Sequence, residues 1–359
     1  MDFSEFNKYF LGANSASGFV SCFDLSYNVK NGDTAYIIKG GPGTGKSSLM
    51  KYIAAACVKA GKTVELFPCS SDPDSLDGIR ILPERTVFLD GTAPHIVEPK
   101  HPGICEHIIN TGEFWDKKKL ASHREEILNI MAENKAYHAR ASRYIMAAGK
   151  LLSDNMSLQK RYVSTDKITA FARHLSAKYI PKKSGKGQTT VRFLSGITPK
   201  GVIFFSSTLL KEASRHIIIS DKYGSVSSQI MATVLNEAVS KGHDVIEVKN
   251  PFFPNEITDH VIIPSLNLAF CTENDYMHIN TDERRIHSRR FEHKDFKKNR
   301  EKLRFNKNAA KEMLLAAGES LYLAKRVHDD LEAYYIKAMD FDALAIFIEK
   351  LSKEIINER

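Results

Sequence analysis

The sequence predicts an α/β protein with two tandem parallel-sheet domains, each followed by a long helical segment. Three observations predict this plan. The chain of 359 residues is longer than a domain with a single hydrophobic core usually is. The chain contains an internal repeat, and strands alternate with helices in both copies of it. The predicted bounds are 1–181 for the first domain, 182–190 for a linker and 191–359 for the second domain.

The repeat emerges when each residue is aligned with the residue 181 positions later. Residues 37–89 then match 218–270 without a gap, and the matches include Gly61 with Gly242. We interpret this match as a tandem duplication. The stretch 181–188 is rich in Gly and Lys, which predicts a linker at the seam.

In each half we predict a strand, a turn with a helix, and two further strands. The two further strands are predicted at 63–68 and 86–90 in the first half and at 244–249 and 267–271 in the second. After them, apolar residues recur at helical spacing, which predicts helical arms over 116–180 and 294–359. We expect each arm to be a helical hairpin or coiled-coil-like and to pack as core; a moving lid or a dimer contact is the alternative.

Composition limits the class of protein. No apolar run is long enough to span a membrane, and the acidic start of the chain argues against a signal peptide. Five cysteines without a CxxC pair argue against a disulfide framework and against a zinc site. We therefore expect a cytoplasmic protein without a membrane partner.

The net charge of +8 is concentrated in one segment, residues 284–311, which holds twelve Lys or Arg and three acidic residues. This segment is a candidate surface for nucleic acid, although most charge runs are solvated helix faces. Its aromatic and apolar residues, Phe291, Phe296, Leu303 and Phe305, are expected to pack inward in that second case.

Residues 40–47 fit the pattern GxxxxGK[ST] in full, between a predicted strand at 34–38 and a predicted helix. Glycines let consecutive backbone N–H groups surround a phosphate. Lys46 is expected to neutralise its oxygens, and the Ser47 hydroxyl to ligate Mg²⁺. The predicted ATP-binding residues are Gly40, Gly41, Pro42, Gly43, Thr44, Gly45, Lys46, Ser47 and Ser48.

Two acidic residues are candidates for the remaining chemistry. Asp90 ends the apolar strand 86–90, where a carboxylate holds the Mg²⁺ shell; the competing interpretation is an Asp that starts a turn. Asp72 follows the preceding strand as a candidate for activating water, but Asp before Pro also begins helices. The predicted catalytic residues are Lys46, Asp90 and Asp72, and the predicted metal ligands are Ser47 and Asp90.

His95 follows the strand of Asp90, and we consider both a γ-phosphate sensor and a structural histidine there. The spacing of His95, His101 and His107 is neither helical nor that of a known zinc site, so we assign them no metal.

The second copy lacks the chemistry of the first. In the gapless alignment, Asp221, Val226, Ser227 and Cys271 stand at the positions of Gly40, Gly45, Lys46 and Asp90. The loop cation and the Mg²⁺ ligand are therefore absent, a branched side chain replaces a glycine, and Asp221 is expected to repel phosphate. We expect one nucleotide per chain, bound by the first half, and a degenerate second site.

These motifs resemble those of the P-loop NTPase superfamily and, more narrowly, of a family of uncharacterised bacterial tandem-duplicated P-loop ATP-binding proteins. The narrower resemblance rests on KGGPGTGKS at 39–47, CSSDPDSLDG at 69–78 and LDGTAPH at 89–95. It covers nearly the whole chain and implies ATP binding with hydrolysis, but no substrate.

Three functions follow from this pattern. The first is an Mg²⁺-dependent ATPase or ATP-driven switch that acts on an unknown protein partner or effector. The second is a nucleoside or nucleotide kinase, which needs an acceptor pocket with clamping arginines that the sequence does not show near the loop. The third is a nucleic-acid-associated ATPase that uses residues 284–311.

Overall fold

The computed structural model describes residues 6–93 and 95–357. The acidic start of the chain, which argues against a signal peptide, lies outside these ranges. The fold is mixed α/β, with two six-stranded, mostly parallel sheets that are each followed by long helices. This confirms the predicted α/β class and its helical segments. No helix among the described residues is long and apolar enough to cross a membrane.

The first half of the chain forms one six-stranded sheet and a two-stranded hairpin. Its strands are β1 (Asn7–Lys8), β2 (Gly12–Ser15), β3 (Gly18–Ser21), β4 (Thr34–Lys39), β5 (Thr63–Pro68), β6 (Leu76–Leu82), β7 (Thr86–Asp90) and β8 (Glu106–Asn110). The sheet order is β1-β5-β6-β7-β4-β8, and β2 pairs with β3 in the hairpin. All neighbouring strands of the sheet are parallel except on both sides of β6.

The second half repeats this arrangement. Its strands are β9 (Thr189–Arg192), β10 (Ser195–Thr198), β11 (Gly201–Phe204), β12 (Arg215–Ser220), β13 (Val245–Lys249), β14 (Thr258–Ile263), β15 (Leu268–Glu273) and β16 (Arg285–His287). The sheet order β9-β13-β14-β15-β12-β16 is the same as in the first half, and β14 is again the antiparallel strand. The shared order supports a duplication. The sequence did not predict the antiparallel strand of either sheet.

Eight α-helices connect or follow these strands in the described part of the chain. They are α1 (Lys46–Lys59), α2 (Lys117–Ser122), α3 (Arg124–Lys160), α4 (Thr165–Tyr179), α5 (Ser206–Glu212), α6 (Ser225–Ser240), α7 (Arg300–Ala338) and α8 (Phe341–Asn357). The two long helices, α3 and α7, contain 37 and 39 residues. The residues spaced seven apart on α7 are all buried: Leu303, Ala310, Ala317, Ala324 and Leu331.

The chain divides into two compact units. Unit 1 contains the residues up to 12, residues 21–141 and the residues from 319 onward, and unit 2 contains residues 13–20 and 142–318. Unit 1 therefore includes α8 from the second half of the sequence, and unit 2 includes α4 from the first. The predicted domain bounds follow the sequence repeat, whereas the compact units group α8 with the first half and α4 with the second. The predicted bounds therefore stay a prediction.

Each sheet is covered by its own crossover helix together with the helix contributed by the other sequence half. In unit 1, α1 and α8 share one core cluster with the sheet, through Leu49, Ile53, Leu344, Ile348 and Leu351. In unit 2, α6 and α4 do the same through Ile230, Val234, Ile168, Ala172 and Leu175. The buried residues of α1 and α6 recur at helical spacing, so each helix turns one apolar stripe toward its core cluster.

Helices α3 and α7 contact each other in an antiparallel arrangement in each unit. In unit 2 the Asn155 amide donates to the Leu303 carbonyl at 3.1 Å, and in unit 1 the Asn134 amide donates to the Ala324 carbonyl at 2.7 Å. The apolar spacing of α7 therefore packs against a second long helix, as one of the two interpretations from the sequence requires.

The predicted linker at 182–190 is attached to unit 2. Lys183 and Gly187 donate backbone hydrogen bonds to the Lys241 and Val239 carbonyls, at the end of α6. Strand β9 begins at Thr189, within the predicted linker, and pairs with β13.

We predict that Ala324→Leu lowers the free energy of unfolding by about 1–3 kcal/mol, because a larger side chain at this fully buried helix contact forces the packing apart. Ala333→Leu, at an exposed position of the same helix, is the matched control and should change stability little. Urea denaturation followed by circular dichroism measures both; equal effects would contradict the assigned contact.

Candidate functional site

The glycine-rich loop at 40–45 connects β4 to α1 at the carboxyl end of the sheet in unit 1. Gly45 caps the helix with φ of +83°, a left-handed conformation that residues with a Cβ rarely adopt. Strand β4 and its neighbour β7 run parallel, with Ile38 paired to Asp90. The end of β7 therefore lies beside the start of the loop.

Lys46 lies between the loop and Asp90. Its ammonium group donates to the Gly41 carbonyl at 2.7 Å and stands 3.7 Å from Oδ2 of Asp90. Both side chains are mostly buried. The structure thus brings together the cation and the acid that the sequence singled out separately.

Asp90 has two roles in the described contacts. Its Oδ1 accepts hydrogen bonds from the Thr92 backbone N–H at 2.9 Å and from the Thr92 hydroxyl at 2.6 Å, while Oδ2 faces Lys46. The turn-forming interpretation and the site interpretation from the sequence are therefore compatible, because each uses a different oxygen.

The remaining loop residues are held by local contacts. The Ser47 hydroxyl accepts from the Leu76 backbone N–H at 3.0 Å, and the Thr44 hydroxyl donates to the Gly41 carbonyl at 2.8 Å. A Cβ on Gly40 would lie 2.0 Å from Thr111 Oγ1, so only glycine fits there. Pro42 is partly buried in the loop, and Ser48 is exposed on the first turn of α1.

The C-terminal part of α7 lies against this loop. Oε1 of Glu332 accepts from the Gly43 backbone N–H at 3.2 Å. A Cβ on Gly41 would lie 2.5 Å from the Tyr335 ring, and one on Gly45 would lie 2.9 Å from Leu344 of α8. The backbone N–H of Gly43 therefore already binds an anionic oxygen, which belongs to the protein itself.

The surroundings of Glu332 favour the ionised form of its carboxyl group. A hydrogen bond from His328, one turn earlier on α7, is the main cause that lowers the pKa of the Glu332 carboxyl. Sequence reasoning missed Glu332 and Tyr335, because they lie almost three hundred residues from the loop. No local motif marks such a contact.

Asp72 lies in the loop between β5 and β6. Its Oδ2 accepts from the Ser75 hydroxyl at 2.8 Å and stands 3.5 Å from Nζ of Lys325, and its Oδ1 accepts from the Asp74 backbone N–H at 3.3 Å. These are contacts of a turn-forming residue. A role for Asp72 in activating water stays a prediction.

The corresponding loop of unit 2, at 221–224, is two residues shorter than the loop at 40–45. Strand β12 ends in register with β4, but α6 begins at Ser225, two residues early in the 181-residue alignment. Val226 is consequently a buried helical residue, whose side chain packs in the core of unit 2. The expectation that Val226 stands where Gly45 does is therefore wrong, because the longer helix replaces that part of the loop.

Asp221 fills the anion position of this second loop. Its Oδ2 accepts from the backbone N–H groups of Val226 at 2.8 Å and Ser227 at 2.9 Å, and the side chain is fully buried. Gln159 of α3 donates to Oδ1 of Asp221 and accepts from the Ser225 N–H at 3.0 Å. The sequence suggested that Asp221 repels phosphate; in the structure its carboxylate occupies the N–H groups directly.

The equivalent of Asp90 in unit 2 also differs from the gapless alignment. Ile219, the counterpart of Ile38, pairs with Thr272 rather than with Cys271. The segment between β13 and β15, residues 250–267, is one residue longer than the segment between β5 and β7, residues 69–85. The extra residue shifts the register of β15 against the gapless alignment. Thr272 carries no charge, and the next residue, Glu273, pairs with Arg285 at 3.3 Å.

A cavity of about 80 Å³, partly open to solvent, lies beside the second loop. Its walls include Tyr223 and Phe252 and the buried carboxyl of Asp259. Burial raises the pKa of Asp259 to about 7, while hydrogen bonds from Asn250 oppose that shift. Unit 2 therefore has only a small cavity next to a loop whose own N–H groups are occupied.

The basic segment at 284–311 is partly engaged in folding. Phe291, Phe296 and Leu303 are buried as expected, but Phe305 is exposed. Several of its cations have partners: Arg285 with Glu273, Lys298 with Asp295, Lys302 with Asp154 and Lys307 with Asp275. Lys297 and Arg300 are exposed. Nucleic-acid binding by this segment stays a prediction.

Comparisons of the chain with protein-family models, with curated proteins and with solved structures found no match. Membership of the P-loop NTPase superfamily consequently stays a prediction from the motifs.

We predict that Asp221→Ala lowers the free energy of unfolding by about 1–3 kcal/mol, because two buried N–H donors lose their acceptor. Asp244→Ala, which removes an exposed acceptor of one N–H bond in the same unit, is the control and should cost less. Thermal and urea denaturation compare the two; equal stability of both variants would show that Asp221 does not hold the loop.

Proposed function

We propose that the protein binds ATP with Mg²⁺ at the loop of unit 1 and acts as an ATPase or ATP-driven switch, and that the loop of unit 2 is a degenerate site. The observation that carries this proposal is the 3.7 Å approach of the Lys46 ammonium to Asp90, at the N-terminus of α1 and beside a glycine-rich loop. A cation, an acid and a helix N-terminus in this order are the parts that recognise a metal-bound polyphosphate.

The residues of unit 1 fit such a ligand chemically. The Gly43 N–H already donates to an anionic oxygen of Glu332, which supports anion binding by this loop. Lys46 would turn from the Gly41 carbonyl to phosphate oxygens, and Ser47 with Asp90 would hold Mg²⁺ through oxygen ligands. The bound metal would supply neutralisation of the phosphate charge. The protein would contribute orientation and a partly buried cation.

The contact of Glu332 favours a switch over simple hydrolysis. A phosphate oxygen at the Gly43 N–H has to replace the carboxylate of Glu332, because both are acceptors for the same donor and repel each other. Nucleotide binding would therefore release this part of α7 from the loop, together with Tyr335. The helix could in this way signal the state of the site to a protein partner or effector.

The alternatives have weaker support. A kinase requires clamping arginines around an acceptor pocket, and the described contacts of the loop come from Glu332, Tyr335, Leu344 and Thr111 instead. A nucleic-acid-associated ATPase would use the exposed cations Lys297 and Arg300.

We predict that wild-type protein binds one Mg-ATP per chain and that Lys46→Ala lowers phosphate release by at least about 100-fold, because a charge contact to the transition state is lost. Lys59→Ala, at an exposed lysine at the end of the same helix, is the control and should keep activity. Calorimetric titration and phosphate release measure both quantities. Unchanged turnover of Lys46→Ala, or a stoichiometry of two, would contradict the assignment.

We predict that Glu332→Ala raises the affinity for Mg-ATP by about tenfold, because the ligand no longer has to displace a charge-assisted hydrogen bond. Glu332→Gln, which keeps an acceptor without the charge, should give a smaller increase. Glu349→Ala removes an exposed carboxylate from α8 and is the control. Affinity that is equal or lower in Glu332→Ala would argue against the competition.

A further inference from the structure

Three side chains with metal-binding chemistry meet near the Lys46–Asp90 pair in unit 1. They are Cys69, directly after β5, Asp77 on β6, and His95, after β7. One donor atom from each, the Cys69 sulfur, an Asp77 oxygen and a ring nitrogen of His95, lies within 4.8 Å of the other two. The motifs CSSDPDSLDG and LDGTAPH supply all three residues, although no part of the proposed nucleotide site uses them.

The cluster is buried, and the Cys69 thiol hydrogen-bonds to the Asp77 carboxyl. Asp77 and His95 are 4% and 6% exposed, and Cys69 is partly buried. Oδ2 of Asp77 has no hydrogen-bond partner among the residues that the structure describes. Nε2 of His95 is 3.7 Å from this oxygen, which is too far for a hydrogen bond. A buried carboxylate oxygen without a donor is costly unless another ligand completes its environment.

The surroundings hold the three groups in place. The His95 ring stacks on Phe23, with ring centroids 4.6 Å apart, and the His95 backbone N–H donates to the Thr92 carbonyl. The Cys69 backbone N–H donates to the Ser75 carbonyl at 3.0 Å. Asp77 is on a strand that pairs with both β5 and β7, so the sheet itself sets the spacing of the donors.

We propose that Cys69, Asp77 and His95 form a binding site for a divalent zinc ion. A thiolate, a carboxylate and a neutral imidazole together carry two negative charges, which balance Zn²⁺ in a buried place. Donor atoms lie about 3.5 Å apart around a tetrahedral zinc ion, so small side-chain rotations bring this cluster into range. Three protein ligands leave the fourth position for water.

Other roles of the same residues fit the structure less well. Burial raises the pKa of the Cys69 thiol well above its usual value, so without a metal the thiol is protonated and a poor nucleophile. Burial likewise raises the pKa of Asp77 to about 6. A metal ion that binds here would replace the thiol proton. The absence of CxxC pairs and of zinc-like histidine spacing does not exclude this cluster, because its three residues come together only in the fold.

Titration of the purified full-length protein with Co²⁺ tests the proposal. Cobalt bound by a thiolate gives a thiolate-to-metal charge-transfer absorption, and we expect one such site per chain. Cys69→Ser should abolish this absorption, while Asp77→Asn and His95→Gln should weaken binding at least tenfold, with Zn²⁺ competing in the wild type. Cys105→Ser, at a partly buried cysteine outside the cluster, should keep the absorption. Its absence in the wild type, or its persistence in Cys69→Ser, would overturn the proposal.

A second measurement uses only the wild-type protein and so does not depend on the folding of a variant. At an alkaline pH and exposure time at which Cys69 of the metal-free protein is modified by a thiol reagent, we expect Zn²⁺ to slow this modification while Cys105 reacts at an unchanged rate, as measured by peptide mass spectrometry. Equal modification of Cys69 with and without Zn²⁺ would equally overturn the site.

Discussion

The backbone N–H groups at the turn from a central strand to its crossover helix need an oxygen acceptor, and the two units satisfy this need differently. In unit 1 the acceptor for Gly43 is the half-buried carboxylate of Glu332, which comes from another helix. In unit 2 the acceptor for Val226 and Ser227 is Asp221, a buried residue of the loop itself. An acceptor on a separate, partly exposed side chain can be exchanged for a ligand. Exchange of a buried internal acceptor costs stability, because its carboxylate would have to leave its own N–H donors.

The exchange of final helices between the sequence halves makes the first of these arrangements possible. Helix α8 and the end of α7 belong to the same compact unit as the loop at 40–45, so a residue of the second half reaches a loop of the first. In unit 2, Gln159 of α3 contacts Ser225 in a comparable way. A long helix thus contacts each strand-to-helix turn, and a nucleotide in unit 1 would compete with that contact.

The charged residues of unit 1 gather at one edge because neighbouring strands end there. Strands β4 and β7 are parallel and place Lys46 beside Asp90, and β6 runs between β5 and β7. Asp77 at the start of β6 is therefore close to the ends of both neighbours, and Asp90 is among the charges that raise its pKa. A parallel sheet with one antiparallel strand can in this way bring together acids, a cation, a thiol and an imidazole from segments far apart in the chain.

The sequence by itself determined the local chemistry. The α/β class, the long helices and the glycine-rich loop between a strand and a helix could be predicted, because periodicity, turn residues and motif spacing depend on neighbours along the chain. The gapless repeat also indicated a degenerate second loop. Its register, however, was wrong at Val226 and Cys271, since a helix that starts early and one added residue leave no mark in an alignment of this length.

Only the tertiary structure decided what those residues touch. Glu332 meets Gly43, and Cys69 and His95 meet Asp77, through packing of helices and strand order, which depend on the summed burial of many apolar residues. From the sequence, Asp221 indicates a loop that cannot bind phosphate. In the folded chain it is the acceptor that the N-terminus of α6 requires. Whether Asp221 repels a phosphate or accepts hydrogen bonds from its own helix depends on which N–H groups the fold brings within reach of its carboxylate. That is a property of the folded chain rather than of its sequence alone.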